Sequence, residues 1–320
     1  MSELEQVVMA LQAASSVAVL AHIQPEGDAI GATLGASLSL LEAGKVVAAH
    51  IAEPLPRGLL NLPGTDRLVQ GTPIARAYAC YLVLDTSDLT RVGGLLDGRP
   101  ADAVLLNVDH HPGNTRFGDV NWVDGGASSA GEMVYQILRA GGFPVSKAVA
   151  TNLFAAVLTD TGSFHHRNAT PQALRVAADL VECGAVPEEI THGLYGNRDP
   201  REWRLLSEAL ASLRVSPDSR LAWIEVTLAA QGRAGLGLES TEDFIDYVRV
   251  LSGVRIAMTF KEASAGLVKV SFRSRGTLDV ARLAGEFGGG GHRNAAGCSL
   301  TGTLAEVESR VLAAAQEFLI

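Results

Sequence analysis

Short apolar runs alternate with amphipathic stretches through the first half of the chain. Val17 to Ala21 is an uninterrupted apolar run that predicts a buried strand, and Ala29 to Ala43 predicts a helix with Leu34, Leu38 and Leu41 on one stripe. Val46 to Ile51, Tyr81 to Leu84 and Ala103 to Val108 are further runs rich in Val and Leu, without polar alternation. Strands of that kind separated by helices indicate an α/β fold with a doubly wound parallel sheet, covered on both faces. Ser128 to Ala140, Thr151 to Leu158 and Pro171 to Cys183 have helical spacing, the last closed by Gly184.

The texture changes near His192. Gly196-Asn197-Arg198-Asp199-Pro200 is polar and turn-rich, and it divides the chain into a first domain (1–192), a linker (193–204) and a second domain (205–320). Beyond it, Leu221 to Thr227 predicts a strand and Asp243 to Leu251 a helix. Arg255 to Lys261 and Leu267 to Arg273 flank Ala263-Ser264-Ala265-Gly266 and predict an antiparallel hairpin. Asp279 to Phe287 is a helix before a glycine run, and Leu304 to Phe318 a final helix, so the second domain is a smaller α/β unit with antiparallel pairing. Trp203 and Trp223 are expected to pack the domain junction and the second core.

Length and composition narrow the class. The chain has 320 residues, enough for two domains, and with 47% hydrophobic residues, 19% charged and 12 Pro it has a globular composition. No apolar run is long enough to cross a bilayer, and the first residues are acidic where a signal peptide would be basic, so a cytoplasmic location away from membranes is expected. Cys80, Cys183 and Cys298 are odd in number and too widely spaced for a metal knuckle, which fits a reducing compartment. A net charge of -9 argues against coating long duplex nucleic acid through its phosphates. Carboxylates gathered around divalent cations reverse that argument locally, because the ions make a place that attracts phosphate. The acidic balance therefore permits a small anionic substrate.

Candidate chemistry follows the strands. After Val17 to Ala21 comes His22-Ile23-Gln24-Pro25-Glu26-Gly27-Asp28; after Tyr81 to Leu84 comes Asp85; after Ala103 to Val108 comes Asp109-His110-His111. Ligands of open parallel sheets bind beyond the carboxyl ends of the strands, so three such ends point at one crevice. Asp160, before the Thr161-Gly162 turn, is a fourth contributor. His22, Glu26, Asp28, Asp85, His110 and Asp160 mix carboxylates with imidazoles and include no thiolate, a set that suits Mn²⁺, Mg²⁺ or Zn²⁺ and not a structural zinc knot. Six ligands are too many for one ion but enough for two sharing a carboxylate, roughly 3.5–4 Å apart, the arrangement that generates hydroxide and clamps a phosphoryl displacement.

Each residue taken singly has a plainer reading. Asp28 or Asp85 would cap a helix or turn, His22 or His110 would be a core histidine, and Asp109 either holds a histidine or is a turn carboxylate. Their coincidence at matching strand ends favours the metal reading. Gly288 to Gly291 is either a flexible connector or a backbone that approaches an anion closely. His165-His166-Arg167 is a cleft lining or a surface loop. There is no GxSxG elbow and no P-loop.

His22-x-x-x-Glu26-x-Asp28, Asp85, Asp109-His110-His111, Asp160-Thr161-Gly162 and Gly288-Gly289-Gly290-Gly291-His292, in this order, resemble the DHH phosphoesterase family. Their order and spacing look like those of the small bacterial branch of oligoribonucleases that also act as phosphoadenosine-phosphate phosphatases (nanoRNases). The resemblance implies a DHH domain followed by a DHH-associated domain, and two divalent ions per chain, Mn²⁺ or else Mg²⁺. His22, Glu26 and Asp85 would hold the first ion; Asp28, Asp85, His110 and Asp160 would hold the second. His111 would face the scissile phosphate, with Asp109 and Asp85 completing the catalytic set. Arg273, Ser274, Gly289, Gly290, Gly291 and His292 would bind the far phosphate or nucleotide. The implied substrates are short oligonucleotides, released as mononucleotides, and 3′-phosphoadenosine 5′-phosphate; a homodimer is left open. The chain departs from the family pattern at Glu26, where Asp is usual, and the extra methylene moves the carboxylate by roughly an ångström. Two alternatives remain at this stage, a degenerate nucleotide-sensing protein, supported by Glu26 alone, and a pyrophosphatase or polyphosphatase. The GGGGH run and the lack of a basic channel favour nucleotides over polyphosphate.

Overall fold

Ser16–Leu20 (β1), Val46–Ile51 (β2), Leu68–Gln70 (β3), Cys80–Leu84 (β4), Val104–Asp109 (β5) and Val120–Val123 (β6) pair in the order β3-β2-β1-β4-β5-β6, every pair parallel. The computed structural model describes every residue except Asn197, Arg198, Glu239, Ser240, Glu242 and Ile320, together with all side chains of the described residues except Arg57 and His292. The chain forms two compact units, Met1–Asn197 and Arg198–Ile320.

In the first unit the strand period of two sends alternate residues into different layers. Val17, Val19, Cys80, Leu82 and Leu84 enter the larger core beneath Glu3–Ala13 (α1), Gly27–Glu42 (α2), Ala130–Gly141 (α3), Lys147–Asp160 (α4), Pro171–Glu182 (α5) and Pro187–Tyr195 (α6). Ala18, Leu20, Tyr81 and Val83 face the other way, against Tyr78, Val92 and Leu95. The sheet is thus buried on both faces, which is why its central strands read as unbroken apolar runs. Two helices start earlier than the apolar periodicity suggests. Glu26, in extended conformation, takes the N-cap of α2, so Asp28 lies inside the first turn. Ser146 caps α4 through the Val149 amide, and that helix ends on Asp160.

Helices α2 and α4 meet through glycine. Gly27, Gly31 and Gly35 recur every four residues and so share one face of α2. A Cβ at Gly27 would lie 2.5 Å from the Thr159 side chain, one at Gly31 2.5 Å from the Asn152 carbonyl oxygen, and one at Gly35 2.5 Å from Leu153 Cδ2. The stripe lets the two backbones approach, and that approach brings Asp28 of α2 beside Asp160 of α4.

The second unit is built on Arg214–Val215 (β7), Leu221–Val226 (β8), Ile256–Ser264 (β9), Leu267–Ser274 (β10), Gly290–His292 (β11) and Ala295–Thr301 (β12), ordered β11-β12-β10-β9-β8-β7. Only β8 and β9 run parallel. The hairpin expected at Ala263 to Gly266 is β9–β10. One face packs on Val280–Gly285 (α10) and Leu304–Phe318 (α11); the other packs on Pro200–Ala211 (α7), Leu228–Ala234 (α8) and Phe244–Arg249 (α9). Trp223 is in the α10–α11 core, whereas Trp203, expected to be packed, is 52% exposed on α7. Helix occupies much of the stretch read as linker, because Pro187 and Pro200 each sit in the first turn of a helix that reaches into it. No helix among the described residues is long and apolar enough to cross a membrane.

The glycine stripe is testable. At an exposed helical site Gly→Ala stabilises by about 1 kcal/mol, but at Gly31 the new methyl meets a backbone oxygen that cannot rotate away, and overpacking of that kind costs about 1–3 kcal/mol. Gly31→Ala is therefore expected to lower the thermal midpoint in calorimetry; an increase would contradict the packing account.

Candidate metal centre

The strand order reverses between β1 and β4, for β1 continues to β2 on one side and β4 to β5 on the other. That switch point opens a crevice at the carboxyl ends of the strands. His22 follows β1, Asp85 follows β4, and His110 and His111 follow β5. Asp85 has φ 54°, a left-handed conformation that costs a non-glycine residue about 1–3 kcal/mol. Its amide donates to the Val108 carbonyl at 3.0 Å, which locks it to the end of β5. The next residue, Thr86, is tied by its carbonyl to the side-chain amides of Asn107 and Asn114, each 3.0 Å away.

The carboxylates converge on one imidazole. His110 Nε2 lies 3.3 Å from Asp85 Oδ1, 3.7 Å from Asp28 Oδ2 and 3.8 Å from Asp160 Oδ2. A single ring nitrogen cannot hydrogen-bond three carboxylates at those distances, whereas a cation among them would satisfy all four groups. Asp85 Oδ1 is buried and makes no hydrogen bond, and its partner Oδ2 is 3.5 Å from His22 Nε2. Three ligand-type sets, each within 4.8 Å, are joined through shared residues: His22, Glu26 and Asp85; Asp85, His110 and His111; Asp28, His110 and Asp160. Oxygen and imidazole donors without thiolate suit a hard or borderline divalent ion. The donor set and the orphaned oxygen of Asp85 both fit such an ion.

The surrounding structure orients the donors. His22 Nδ1 donates to the Ile23 carbonyl at 2.6 Å, which leaves Nε2 as the lone-pair nitrogen facing Asp85. Asp28 accepts the amides of Ala130 at 2.7 Å and Gly131 at 2.9 Å, the first two of α3, where the helix dipole favours an anion. His111 Nδ1 donates to Asp109 Oδ1 at 2.7 Å, and Asp109 Oδ2 accepts from Asn114 at 2.6 Å. Asn168 donates to Asp160 Oδ2 at 3.0 Å and to the Ser128 carbonyl at 2.8 Å, linking Asp160 to the segment that starts α3.

Titration reflects the crowding. Burial pushes the Asp28 carboxyl well above its ordinary range, and Asp85 and Asp160 push the same way. Burial likewise pushes Asp160 up to about 6, partly offset by His110. Asp85 is buried too, but His110 and His22 outweigh the desolvation and hold it below the usual range. Burial works against a charged His110, yet Asp85, Asp28 and Asp160 push it up to about 10. Asp109 raises His111 through their hydrogen bond. These acids cannot all ionise without a cation among them, so protons occupy the cluster instead.

All eight residues singled out near the strand ends, His22, Glu26, Asp28, Asp85, Asp109, His110, His111 and Asp160, belong to this one constellation or its supports. His165 and His166 are exposed beside it, with Nδ1 atoms 3.0 and 3.4 Å from the Gly162 and Asp160 carbonyls. The second group lies in the other unit. Arg273 ends β10, and its register partner Ala295 on β12 pairs in turn with His292 on β11. Arg273 donates to its neighbour's carbonyl, Phe272 O, at 3.1 Å. The Ser274 hydroxyl donates to the Leu278 carbonyl at 2.8 Å and accepts from Asn294 at 2.8 Å, so it braces the local turn. A Cβ at Gly289 would collide with the Gly297 carbonyl, and one at Gly291 would lie 2.5 Å from the Ala295 oxygen, whereas Gly290 faces open space. Gly289 and Gly291 thus serve the packing against β12, whereas a Cβ at Gly288 or Gly290 would meet nothing within 4 Å.

Several contributors escaped the sequence reading: the Ala130 and Gly131 amides, Asn114, Asn168 and the α2 glycines. Only the last carried a legible signal, the four-residue spacing of Gly27, Gly31 and Gly35.

Comparison with known proteins agrees with this architecture. Residues 16–158 match the model of the DHH family N-terminal domain, and residues 228–320 match the DHHA1 domain. A protein of Thermus thermophilus named bifunctional oligoribonuclease and PAP phosphatase NrnA is 34% identical over 302 residues, covering 94% of this chain and 89% of the relative. Its namesake from Bacillus subtilis is 27% identical over 299 residues, 87% of each. The crystal structure of an exopolyphosphatase-related protein from Bacteroides fragilis superposes with a TM-score of 0.89 at 24% identity, covering 97% of this chain and 95% of that one, a likeness of fold. By its domains, its fold and its similarity to these relatives, the chain belongs to the DHH family and carries a DHHA1 domain after the DHH domain.

Proposed function

We propose that this chain is a two-metal phosphoesterase that hydrolyses short oligonucleotides to mononucleotides and removes a phosphate from 3′-phosphoadenosine 5′-phosphate in the cytoplasm. The observation that carries the reading is Asp85, a buried, strained carboxylate with one oxygen toward His22 and an unbonded oxygen toward His110. That is the disposition of a bridging ligand. The oligoribonuclease and PAP phosphatase activities named for the relatives support the substrate class.

His22, Glu26 and Asp85 would hold one ion and Asp28, Asp85, His110 and Asp160 the other, Mn²⁺ before Mg²⁺. Divalent ions there would polarise phosphoryl oxygens and make bound water a nucleophile at neutral pH. The protein's own part is orientation and proton supply. Asn114 fixes Asp109, and Asp109 accepts a hydrogen bond from the Nδ1–H of His111, so the ring is oriented and its raised pKa keeps it charged further into neutral pH. His111 then neutralises the phosphoryl group or gives its Nε2 proton to the leaving oxygen. In the DHHA1 domain, Arg273, His292 and the open backbone at Gly290 would hold the far phosphate, with Ser274, Gly289 and Gly291 shaping that edge. Such a reader measures substrate length instead of tracking a polymer, which fits a net charge of -9.

Assays with Mn²⁺ on a dinucleotide, on 3′-phosphoadenosine 5′-phosphate and on polyphosphate test the reading. Turnover of the first two is expected, and activity confined to polyphosphate would contradict it. Asp85→Ala should lose more than the roughly 100-fold typical of removing a metal-site support, with its circular dichroism unchanged. Activity within tenfold of wild type would remove the bridging role.

Glu26 is exposed and caps α2 without a side-chain hydrogen bond, which leaves its carboxylate available to an ion. Elemental analysis after Mn²⁺ loading should find close to one ion per chain in Glu26→Ala and two in Glu26→Asp. Two ions in Glu26→Ala would make Glu26 a solvated cap.

The metal should also stabilise more at higher pH. Asp28 and Asp160 titrate above their unfolded values, so the metal-free native state binds extra protons there; for Asp160 that contribution is lost as pH rises from about 4 through about 6, and Asp28 shifts in the same direction. Ligation needs those carboxylates ionised and His110 neutral. The Mn²⁺-induced rise in thermal midpoint is therefore expected to be larger at pH 8 than at pH 5. An equal or smaller rise at pH 8 would exclude these groups as ligands.

A further inference from the structure

One cation stands beside the acidic constellation without joining it. Arg91 belongs to the 3-10 helix Leu89–Val92, which leaves the Asp85 loop. Asp88 caps that helix by accepting the Thr90 amide at 2.8 Å and the Thr90 hydroxyl at 2.7 Å. The Arg91 carbonyl accepts the Ile23 amide at 2.8 Å, so the backbone is fixed against the His22 loop. From this anchor the half-buried side chain places an Nη2 atom 3.2 Å from His22 Nδ1. An acceptor, the Ile23 carbonyl, already takes the Nδ1 proton at 2.6 Å, so the guanidinium is a charge beside the ring and not a donor to it. Among the described residues no ion pair within 4.0 Å engages Arg91, although Glu26, Asp28, Asp85 and Asp160 lie in the neighbouring constellation.

We infer that Arg91 is a substrate-binding residue, its guanidinium donating to non-bridging oxygens of a phosphoester seated at the metal centre. A cation beside His22 would repel an ion held there, and an anion between them converts that repulsion into attraction on both sides. A guanidinium fork suits two oxygens of one phosphate, which a lysine ammonium cannot match. The inference rests on the phosphoesterase reading above.

The test uses the full chain loaded with Mg²⁺ and adenosine 5′-monophosphate as the probe, with binding read by calorimetry apart from turnover. Arg91→Ala is expected to weaken binding about 10- to 100-fold, to raise KM for a dinucleotide more than it lowers kcat, and to keep the wild-type metal content. Arg91→Lys should recover only part of the affinity. Affinity within twofold of wild type in Arg91→Ala would overturn the assignment. Loss of bound metal in both variants would overturn it too, because Arg91 would then be a support for His22. If the wild-type chain neither binds the probe nor hydrolyses a dinucleotide, the phosphoesterase reading itself falls, and this inference with it.

Discussion

Asp28, Asp85 and Asp160 are forced together around His110 where little water reaches them, and their mutual repulsion is the constraint on which the rest of the molecule's design turns. Two of the three are almost fully buried. In the metal-free protein the cost is met by protons, since Asp28 and Asp160 titrate high and His110 stays charged. The proposed pair of divalent ions would meet it better, because each carboxylate could then be ionised and coordinated at once. The fold makes the crowding unavoidable. Strand order delivers Asp85 and the histidines to one crevice, the α3 amides hold Asp28, and Asn168 holds Asp160.

The glycine stripe of α2 shows how remote positions serve this site. Gly31 and Gly35 touch no ligand, yet without them α2 and α4 would stand further apart. Gly131 plays a matching part on α3, where a side chain would collide with Ala156 of α4 and crowd Asp28. Three helices are thus drawn together by missing side chains, and Asp28 and Asp160 come to face one imidazole, that of His110.

Much of this was legible in the sequence. Apolar runs without alternation marked β1, β2, β4 and β5, and the acids and imidazoles just after them marked the crevice, because strand ends and chemistry coincide in a parallel sheet. The short edge strands β3 and β6 escaped, being three and four residues long and half exposed, with no apolar run to show them. The start of α2 was misplaced by two residues because glycine at Gly27 gives no apolar signal, while the cap at Glu26 makes no side-chain bond. Supports such as Asn114 and Asn168 were invisible, since an asparagine's role depends on partners that only folding brings near. The glycine run is a flexible connector or an anion-approaching backbone by sequence alone, and the structure adds that Gly289 and Gly291 stand where a Cβ would collide with β12.

The central claim is that Asp85 joins two ions in one site. Electron paramagnetic resonance of the wild-type chain loaded with Mn²⁺ tests it most directly, because ions roughly 3.5–4 Å apart and bridged by a carboxylate couple their spins. The account predicts two manganese ions per chain with the six-line signal of isolated Mn²⁺ replaced by a broad, coupled spectrum. One ion per chain with an undiminished six-line signal would contradict it.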